Sequence, residues 1–197
     1  IPQRTRWWAY TRVNVATDDL LRKMKDAGAF MIGFGIETGN EEILKKSKKN
    51  IKLKRAEELV SIAKKIGLKT QTYFILGHPY ETLETINDTI DFAIKLNGDL
   101  TCFGIMVPYP GTKIYEMAKN GEGGYRLIAK TWNDYNKQIG NALELVSIPR
   151  KKIERLQMFA YLKVFLKNHR YWDLIKFCWG YRRQAMGFIL KHFLNKW

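Results

Sequence analysis

The first two thirds of the chain alternate between short apolar runs and longer segments in which apolar residues recur every three or four positions. Short apolar runs rich in aromatic and β-branched residues are typical of buried strands in a parallel sheet. Their spacing of roughly 25–40 residues leaves room for a helix between successive strands, as in βα units. The sequence therefore predicts four strands, at residues 7–13, 30–36, 70–76 and 100–107.

The intervening segments carry the signals that begin and end helices. Four helices are predicted to begin after side chains whose oxygen can cap the first turn: Thr17, Asn40, Thr82 and Thr112. A further helix is predicted over residues 55–66, because its apolar face ends at Gly67. A glycine-rich break at 120–124 ends this pattern, and the chain is predicted to be helical from about residue 149.

This alternation predicts an α/β fold, in which about four parallel strands form a segment of a partial TIM-like (β/α) barrel followed by a C-terminal helical region. Four strands cannot close a barrel, since even a small closed one needs about eight. The sheet is thus expected to be a segment, or to be completed by residues outside this sequence. We expect three regions, namely the partial barrel at 1–118, a connecting segment at 119–148 and the helical tail at 149–197.

Composition excludes several classes of protein. Of the 197 residues, 46% are hydrophobic and 27% are charged, which is ordinary for a globular protein and unlike a disordered one. Two cysteines are too few for a disulfide scaffold, or for an iron–sulfur cluster with four cysteine ligands from this chain. The chain opens without Met, so we expect it to be a piece of a longer protein.

Positive charge and aromatic side chains are concentrated at the end of the chain. The net charge is +15, and residues 151–197 hold eleven Lys or Arg against two acids, a net of +9, together with eleven aromatic residues. Three interpretations stay open: a tail that packs its aromatic residues on an absent domain, contact with an anionic membrane surface, and binding of nucleic acid. The pattern favours the first, and nucleic acid is the least expected.

Polar residues follow the carboxyl ends of the predicted strands, where chemistry gathers in βα folds. Arg12 ends the first strand, and Glu37 and Thr38 end the second. Because side chains alternate along a strand, a Glu37 that faces the barrel interior places Gly33 and Gly35 on the same face. Inward glycines would leave room for a ligand at the mouth of the sheet.

The third strand adds an apolar surface beside this carboxylate. If Gly77 at its end faces a ligand, then Tyr73 and Ile75 do so as well. A carboxylate suits sugar hydroxyls and an isoleucine packs on a flat base, so Glu37 with Ile75 suits a nucleoside. Simpler alternatives stay open, since Glu37 could balance the dipole of a helix and Arg12 could be a structural ion-pair residue.

The strand-end motifs, taken in order, resemble the second half of a radical S-adenosylmethionine (SAM) enzyme. The resemblance is to the subclass that often carries an N-terminal cobalamin-binding domain, such as anaerobic magnesium-protoporphyrin monomethyl ester cyclases and related methyltransferases. Each motif is weak alone, but their order and spacing make a specific signal over residues 5–118. The matching stretches are residues 12–14, 20–28, 33–46, 73–82 and 108–115.

The family's fold is a partial barrel of six βα units, so the resemblance implies that this chain supplies the third to the sixth strand. It implies that Glu37 hydrogen-bonds the ribose of SAM and that Ile75 lies against the adenine. Lys49 falls where the family usually has a Lys or Arg that reaches the methionyl carboxylate.

Further cofactor-binding residues are implied in the same way. Tyr73 and Gly77 are implied to line the same strand end, and Arg12 to be the polar residue of the third barrel strand that faces SAM. Thr38, which follows Glu37, is also included among the cofactor-binding residues. Pro108 is implied to belong to the turn that closes the sixth strand.

Two motifs of the family are missing from this chain, together with the region that would carry them. One is the CxxxCxxC motif that binds the [4Fe–4S] cluster, and the other is the Gly-Gly-Glu segment that holds the methionine amine of SAM. The resemblance therefore implies an enzyme that uses SAM and a [4Fe–4S] cluster whose ligands lie outside this chain, which alone is expected to be inactive. Cobalamin, if used, would be bound by an upstream domain.

The turn after the third predicted strand departs from the family to a smaller degree. The usual sequence of this turn in the family is Gly-x-Pro-Gly-Glu-Thr, and this chain has His78 and Tyr80 in it.

The resulting hypothesis is a fragment of a radical SAM enzyme that methylates, cyclises or otherwise modifies an unidentified small-molecule substrate. Its implied partner is the missing N-terminal half, and we expect a cytoplasmic protein for which peripheral membrane contact through residues 151–197 stays open. One alternative is a non-catalytic βα module whose basic aromatic tail binds a membrane surface or an acidic partner. Another is a complete non-radical enzyme that uses Arg12, Glu37 and Lys49 on an anionic metabolite.

Overall fold

The computed structural model describes residues 5–136 and 141–180. Four strands form one sheet in chain order, and every neighbouring pair is parallel. The predicted α/β fold class is confirmed, and each predicted strand agrees with the structure to within two residues. The strands are β1 (Trp7–Arg12), β2 (Ala29–Glu37), β3 (Lys69–Leu76) and β4 (Leu100–Ile105).

Helices connect the strands, and the predicted caps are in place. Five helices lie in this part of the chain: α1 (Asp18–Asp26), α2 (Glu41–Lys46), α3 (Leu53–Lys65), α4 (Leu83–Leu96) and α5 (Lys113–Asn120). In each of the four predicted cases a side-chain oxygen accepts a backbone hydrogen bond in the first turn: Thr17, Asn40, Thr82 and Thr112. Helix α3 begins two residues earlier than predicted, without a side-chain cap at Lys52.

The two faces of the sheet differ in burial. Alternate residues such as Ile32, Phe34 and Phe74 are buried and belong to one core, to which α3 and α4 also contribute. The residues between them form what we call the open face, and on β1, β2 and β3 they are half-buried or exposed, apart from the buried Gly33. Strand register brings Arg12 beside Gly35, and Gly35 beside Tyr73, so these residues share the open face.

The two edges of the sheet also differ. At β4 the backbone N–H of Phe103 donates to the Tyr161 hydroxyl at 3.0 Å, and its carbonyl accepts from Gln157 Nε2 at 2.6 Å. Side chains of helix α6 (Arg150–Lys167) thus cover this edge. Strand β1 pairs with β2 on one side, and no other described strand pairs with it. Among the described residues, then, the edge that can be extended is β1.

The connecting segment contains a small antiparallel pair that the sequence did not predict. Strands β5 (Tyr125–Leu127) and β6 (Leu143–Leu145) are three residues long, too short to show a period of two. The hydroxyl of buried Tyr125 donates to the carbonyl of Gly77 at 2.9 Å. This contact ties the connecting segment to the turn that follows β3.

The predicted helical tail is confirmed as far as the structure describes it. Helix α6 is followed by α7 (Tyr171–Gly180), and the rest of the predicted helical region, 181–197, lies outside the described residues. None of the described helices is both long and apolar enough to cross a bilayer. The boundaries expected between the three regions of the chain stay predictions.

Candidate functional site

A cavity of about 480 Å³ lies where β2 and β3 end. Its walls come from the loops that follow β2, β3 and β4, and they include four lysines, two glutamates, two methionines and two isoleucines. This size and this mixture of apolar walls with a few polar groups are typical of small-molecule sites. Three of the predicted site residues line it together: Glu37, Lys49 and Ile75.

Glu37 and Lys49 form an ion pair in this cavity. The Lys49 ammonium donates to Glu37 Oε1 at 2.8 Å, and both side chains are partly buried. A bulge separates Gly35 from Glu37, which has a positive φ of 78°. Glu37 is therefore the last residue of β2, outside the first turn of α2, whose acids are Glu41 and Glu42. The alternative of a helix-dipole role for Glu37 is wrong.

The close approach of the Glu37 carboxylate depends on a glycine. A Cβ atom at Gly35 would lie 3.3 Å from Glu37 Oε1, so a larger residue would press on the carboxylate. The predicted inward glycine thus makes room for the Glu37 side chain.

Tyr73 and Arg12 share the open face but lie outside this cavity. The Tyr73 hydroxyl donates to Tyr10 Oη at 2.7 Å, and burial is the main reason that the pKa of Tyr73 is raised. Arg12 is exposed, and its side chain makes no ion pair or hydrogen bond with the residues that the structure describes. The ion-pair alternative for Arg12 thus finds no support within those residues, and its predicted role toward SAM stays a prediction.

Gly77 stabilises the turn after β3. It has a φ of +88°, which favours glycine, and its N–H donates to Glu81 Oε2 at 2.6 Å. Since its carbonyl already accepts from Tyr125, both backbone groups are used within the chain. Its predicted contact with SAM stays a prediction.

Thr38 and Pro108 also lie away from the cavity lining. Thr38 is fully buried, and its hydroxyl lies 2.9 Å from that of Thr89 in α4. Pro108 is buried in the turn after β4, where the N–H of Thr112 donates to the carbonyl of Tyr109. The contact with Thr89 gives Thr38 a structural role, and the predicted contacts of both residues with a cofactor stay predictions.

His78 is a site residue that the sequence did not reveal. It lines the cavity although it is almost completely buried, and its Nδ1 lies 3.4 Å from the Ser47 hydroxyl. Its Nε2 is buried with no hydrogen-bond partner among the described residues. Burial, the largest effect, lowers the pKa of His78 to about 4, so the imidazole is neutral at pH 7. A lone histidine in a turn gave no signal of this, apart from its departure from the family's motif.

Glu81 lies beneath the same turn and is equally buried. Its Oε2 accepts from the backbone N–H of Gly77 and of His78, at 2.6 and 3.0 Å. Its Oε1 has no hydrogen-bond partner in the part of the chain that the structure describes. Burial outweighs the two donors and raises the pKa of Glu81 to about 7.

Tyr80 stands at the rim of the cavity in a conformation that favours glycine. Its φ is 64°, and its ring lies 5.2 Å from the Lys46 ammonium. A positive φ at a bulky residue costs on the order of 1 kcal/mol. The glycine usual at this position of the motif is thereby explained, and the tyrosine adds an exposed ring to the site.

Comparisons with known proteins bear on the family to which this chain belongs. Residues 9–93 match the family model described as Radical SAM superfamily. An uncharacterised methyltransferase of Pyrococcus horikoshii is 34% identical over 161 residues, which cover 82% of this chain and 34% of that protein. The chain belongs to the radical SAM superfamily. The resemblance of the strand-end motifs is thus confirmed, and so is the identity of the sheet as part of a radical SAM barrel.

A second relative matches nearly the whole of this radical SAM chain. The anaerobic magnesium-protoporphyrin IX monomethyl ester cyclase of Cereibacter sphaeroides is 23% identical over 202 residues, covering 99% of this chain and 31% of that protein. The chain spans about one third of the length of these curated relatives.

A solved structure shares the fold of this radical SAM chain. The methyltransferase TsrM from Kitasatospora setae, with cobalamin and a [4Fe-4S] cluster bound, superposes with a TM-score of 0.57 at 18% identity. The match covers 82% of this chain and 31% of TsrM.

The described residues suit a nucleoside better than a metal cluster. The cavity offers a carboxylate, an ammonium group, an apolar wall and the buried, unpartnered Nε2 of His78. No group of three or more His, Cys, Asp or Glu side chains in the described part of the chain could hold a metal ion. Among the described residues, the cavity therefore holds groups of the kinds that can bind a nucleoside, whereas no set of cluster ligands lies among them.

Proposed function

We propose that this chain supplies the nucleoside-binding part of the SAM site of a radical SAM enzyme that methylates, cyclises or otherwise modifies a small organic substrate. The observation that carries the proposal is the Glu37–Lys49 ion pair beside Ile75, in a cavity at the strand ends of a superfamily member. The ligands of the [4Fe–4S] cluster would come from sequence outside this chain. Cobalamin stays a prediction, since its domain would also lie outside.

Each group of the cavity has a counterpart on SAM. The Glu37 carboxylate can accept hydrogen bonds from two ribose hydroxyls, and Ile75 can pack against the flat adenine. Lys49 can pair with the methionyl carboxylate. Because Glu37 and Lys49 already hold each other, both charges stay near the cavity before ligand arrives, and each finds a partner on SAM when the pair opens.

His78 adds a neutral polar group to this site. Because its imidazole is uncharged at pH 7, Nε2 can donate or accept a hydrogen bond according to its tautomer. We assign this atom to the polar edge of the nucleoside. The cofactors supply the radical chemistry when bound, while the residues of this chain bind the nucleoside, orient it and exclude water.

Binding measurements with two ligands test these assignments separately. In the protein expressed from its complete gene, Glu37→Gln should weaken binding of both SAM and adenosine by about tenfold to a hundredfold, because hydrogen bonds to a charged group contribute about 1.5–3 kcal/mol. Lys49→Gln should weaken SAM by about tenfold and leave adenosine unchanged, because adenosine lacks the methionyl carboxylate. Isothermal titration calorimetry measures both affinities.

The control is Lys45→Gln, which removes an exposed lysine of α2 that does not line the cavity. It should leave both affinities unchanged. Equal losses of SAM and adenosine binding in Lys49→Gln would contradict the assignment of Lys49. Unchanged binding in Glu37→Gln would contradict the proposed nucleoside site.

A further inference from the structure

Helix α7 exposes large apolar side chains on one side. Trp172 is 76% exposed and Ile175 is 55% exposed, and Trp179 farther along is also exposed. Their spacing of three and four residues places them on one helix face, which we call the α7 stripe. The opposite face packs inward, since the Phe177 ring stacks on that of Tyr161 in α6 at 5.1 Å. The helix is thus held by one apolar face while a second one meets solvent.

Helix α6 repeats this arrangement. Its inner residues, such as Ala160 and Val164, are buried in the core. On other positions of the same helix Phe159 and Leu166 are exposed, and exposed cations lie beside them. A helix with apolar residues on both sides is expected to be covered on both.

The net charge of α6 and α7 indicates the kind of partner that covers their exposed apolar side chains. Residues 150–180 hold eight Lys or Arg against two acids, a net of +6. Arg150 pairs with Glu154 and Arg170 pairs with Asp173, so both acids are already engaged. Six cations have no carboxylate within ion-pair distance among the described residues: Lys151, Lys152, Arg155, Lys163, Lys167 and Lys176.

Tryptophan and cations together match a lipid surface. Indole rings favour the boundary between headgroups and acyl chains, and lysines beside them attract anionic headgroups. Because none of the described helices could cross a bilayer, the mode of contact that fits them is one along the surface. An acidic protein partner would satisfy the cations, but it would give no reason for two indole rings and an isoleucine on the same face.

The position of α7 is compatible with simultaneous binding of SAM. Arg170, just before α7, donates to the carbonyls of Gly98 and Asp99 at 2.7 and 2.6 Å. These carbonyls precede β4, at the amino end of the strand, whereas the nucleoside cavity lies at the carboxyl ends. We propose that α6 and α7 dock this protein on an anionic phospholipid surface, with the α7 stripe entering the interface. This proposal does not depend on the nucleoside site.

Vesicle cosedimentation of the protein expressed from its complete gene tests the docking. Vesicles of phosphatidylcholine with about one third phosphatidylglycerol should bind the protein, and added salt should weaken binding. The double substitution Trp172→Ser with Ile175→Ser should lower the partition coefficient at least tenfold. Its matched control is Trp132→Ser with Val146→Ser, since these side chains are 72% and 74% exposed in the connecting segment. The control should bind like the unsubstituted protein.

A second pair of variants tests the charge. Lys163→Gln, Lys167→Gln and Lys176→Gln together should lower binding to the anionic vesicles about tenfold. Three exposed lysines outside the tail provide the control, as Lys54→Gln, Lys65→Gln and Lys69→Gln. Failure of the unsubstituted protein to bind anionic vesicles would overturn the proposal and leave a protein partner as the occupant. Equal losses in the tail variants and their controls would also overturn it, and thermal melting of each variant checks that it is folded.

Discussion

Glu81→Gln is expected to make the free energy of unfolding rise with pH between about pH 4.5 and pH 6.5, relative to the unsubstituted protein. The reason is that His78 and Glu81 depend on pH in opposite directions. Burial lowers the pKa of His78 from 6.5 to about 4, and it raises that of Glu81 from 4.5 to about 7. Each effect on its own amounts to about 3 kcal/mol, since one pKa unit corresponds to about 1.4 kcal/mol.

The sign follows from which state binds more protons. Between pH 4 and 6.5 the unfolded chain protonates His78 and the folded chain does not, so His78 makes stability rise with pH. Between pH 4.5 and 7 the folded chain keeps the proton of Glu81 and the unfolded chain loses it, so Glu81 makes stability fall with pH. The two contributions nearly cancel in the window that they share.

Removing either group leaves the contribution of the other to the pH dependence of stability unopposed. Glutamine resembles the protonated Glu81 and can still accept from the N–H groups of Gly77 and His78. Glu81→Gln thus leaves the rising contribution of His78, whereas His78→Gln leaves the falling contribution of Glu81. Urea unfolding at several pH values between 4.5 and 7 measures both differences. If the free energy of unfolding changes with pH in the same way in Glu81→Gln as in the unsubstituted protein, buried Glu81 keeps an ordinary pKa.

Gly39→Ala is expected to lower the free energy of unfolding by about 3 kcal/mol, at the upper end of the cost of overpacking a core. A Cβ atom at Gly39 would lie 2.5 Å from Phe92 Cβ and 2.8 Å from both the Asp88 carbonyl oxygen and Thr89 Cα. Two of these atoms belong to the backbone of α4, so the loop itself must move. The N–H of Gly39 would then lose its hydrogen bond to the Thr89 hydroxyl, now 3.0 Å long.

The same movement should reach the proposed nucleoside site. Gly39 lies between Glu37 and α2, and Lys49 follows that helix. We expect a fall in melting temperature of roughly 10 °C, together with weaker SAM binding. Gly104→Ala is the matched control, because its Cβ would meet nothing closer than the Phe74 carbonyl oxygen at 3.8 Å. A melting temperature unchanged in Gly39→Ala would show that the loop after β2 is not locked against α4.

Most of the fold could be predicted because its signals are local. Caps at Thr17 and Asn40, and the apolar runs of β2 and β3, depend on neighbours within a few residues. The pair of β5 and β6 was not predicted, because its three-residue strands depend on partners sixteen to twenty residues apart in sequence.

The site could be predicted in part for the same reason. Glu37 and Ile75 lie together because strand ends in a parallel sheet share one edge, whereas Lys49 follows α2 and was predicted from the family resemblance alone. Gly77 and Thr38 occupy the same strand ends, but contacts with Glu81 and Thr89 engage them within the chain. The pattern of residues along the chain does not show whether a polar group at a strand end is engaged by another part of the protein.

By itself the sequence determined the class of the fold, the order of its strands and the superfamily, because hydrophobic period, caps and motif spacing are properties of the linear chain. Only the tertiary structure decided that Glu37 and Lys49 hold each other, that His78 and Glu81 are buried beneath one turn, and that α7 turns its tryptophans outward. Burial and charge pairing depend on which distant segments meet. Those contacts set the pKa values of the site and leave the α7 stripe exposed.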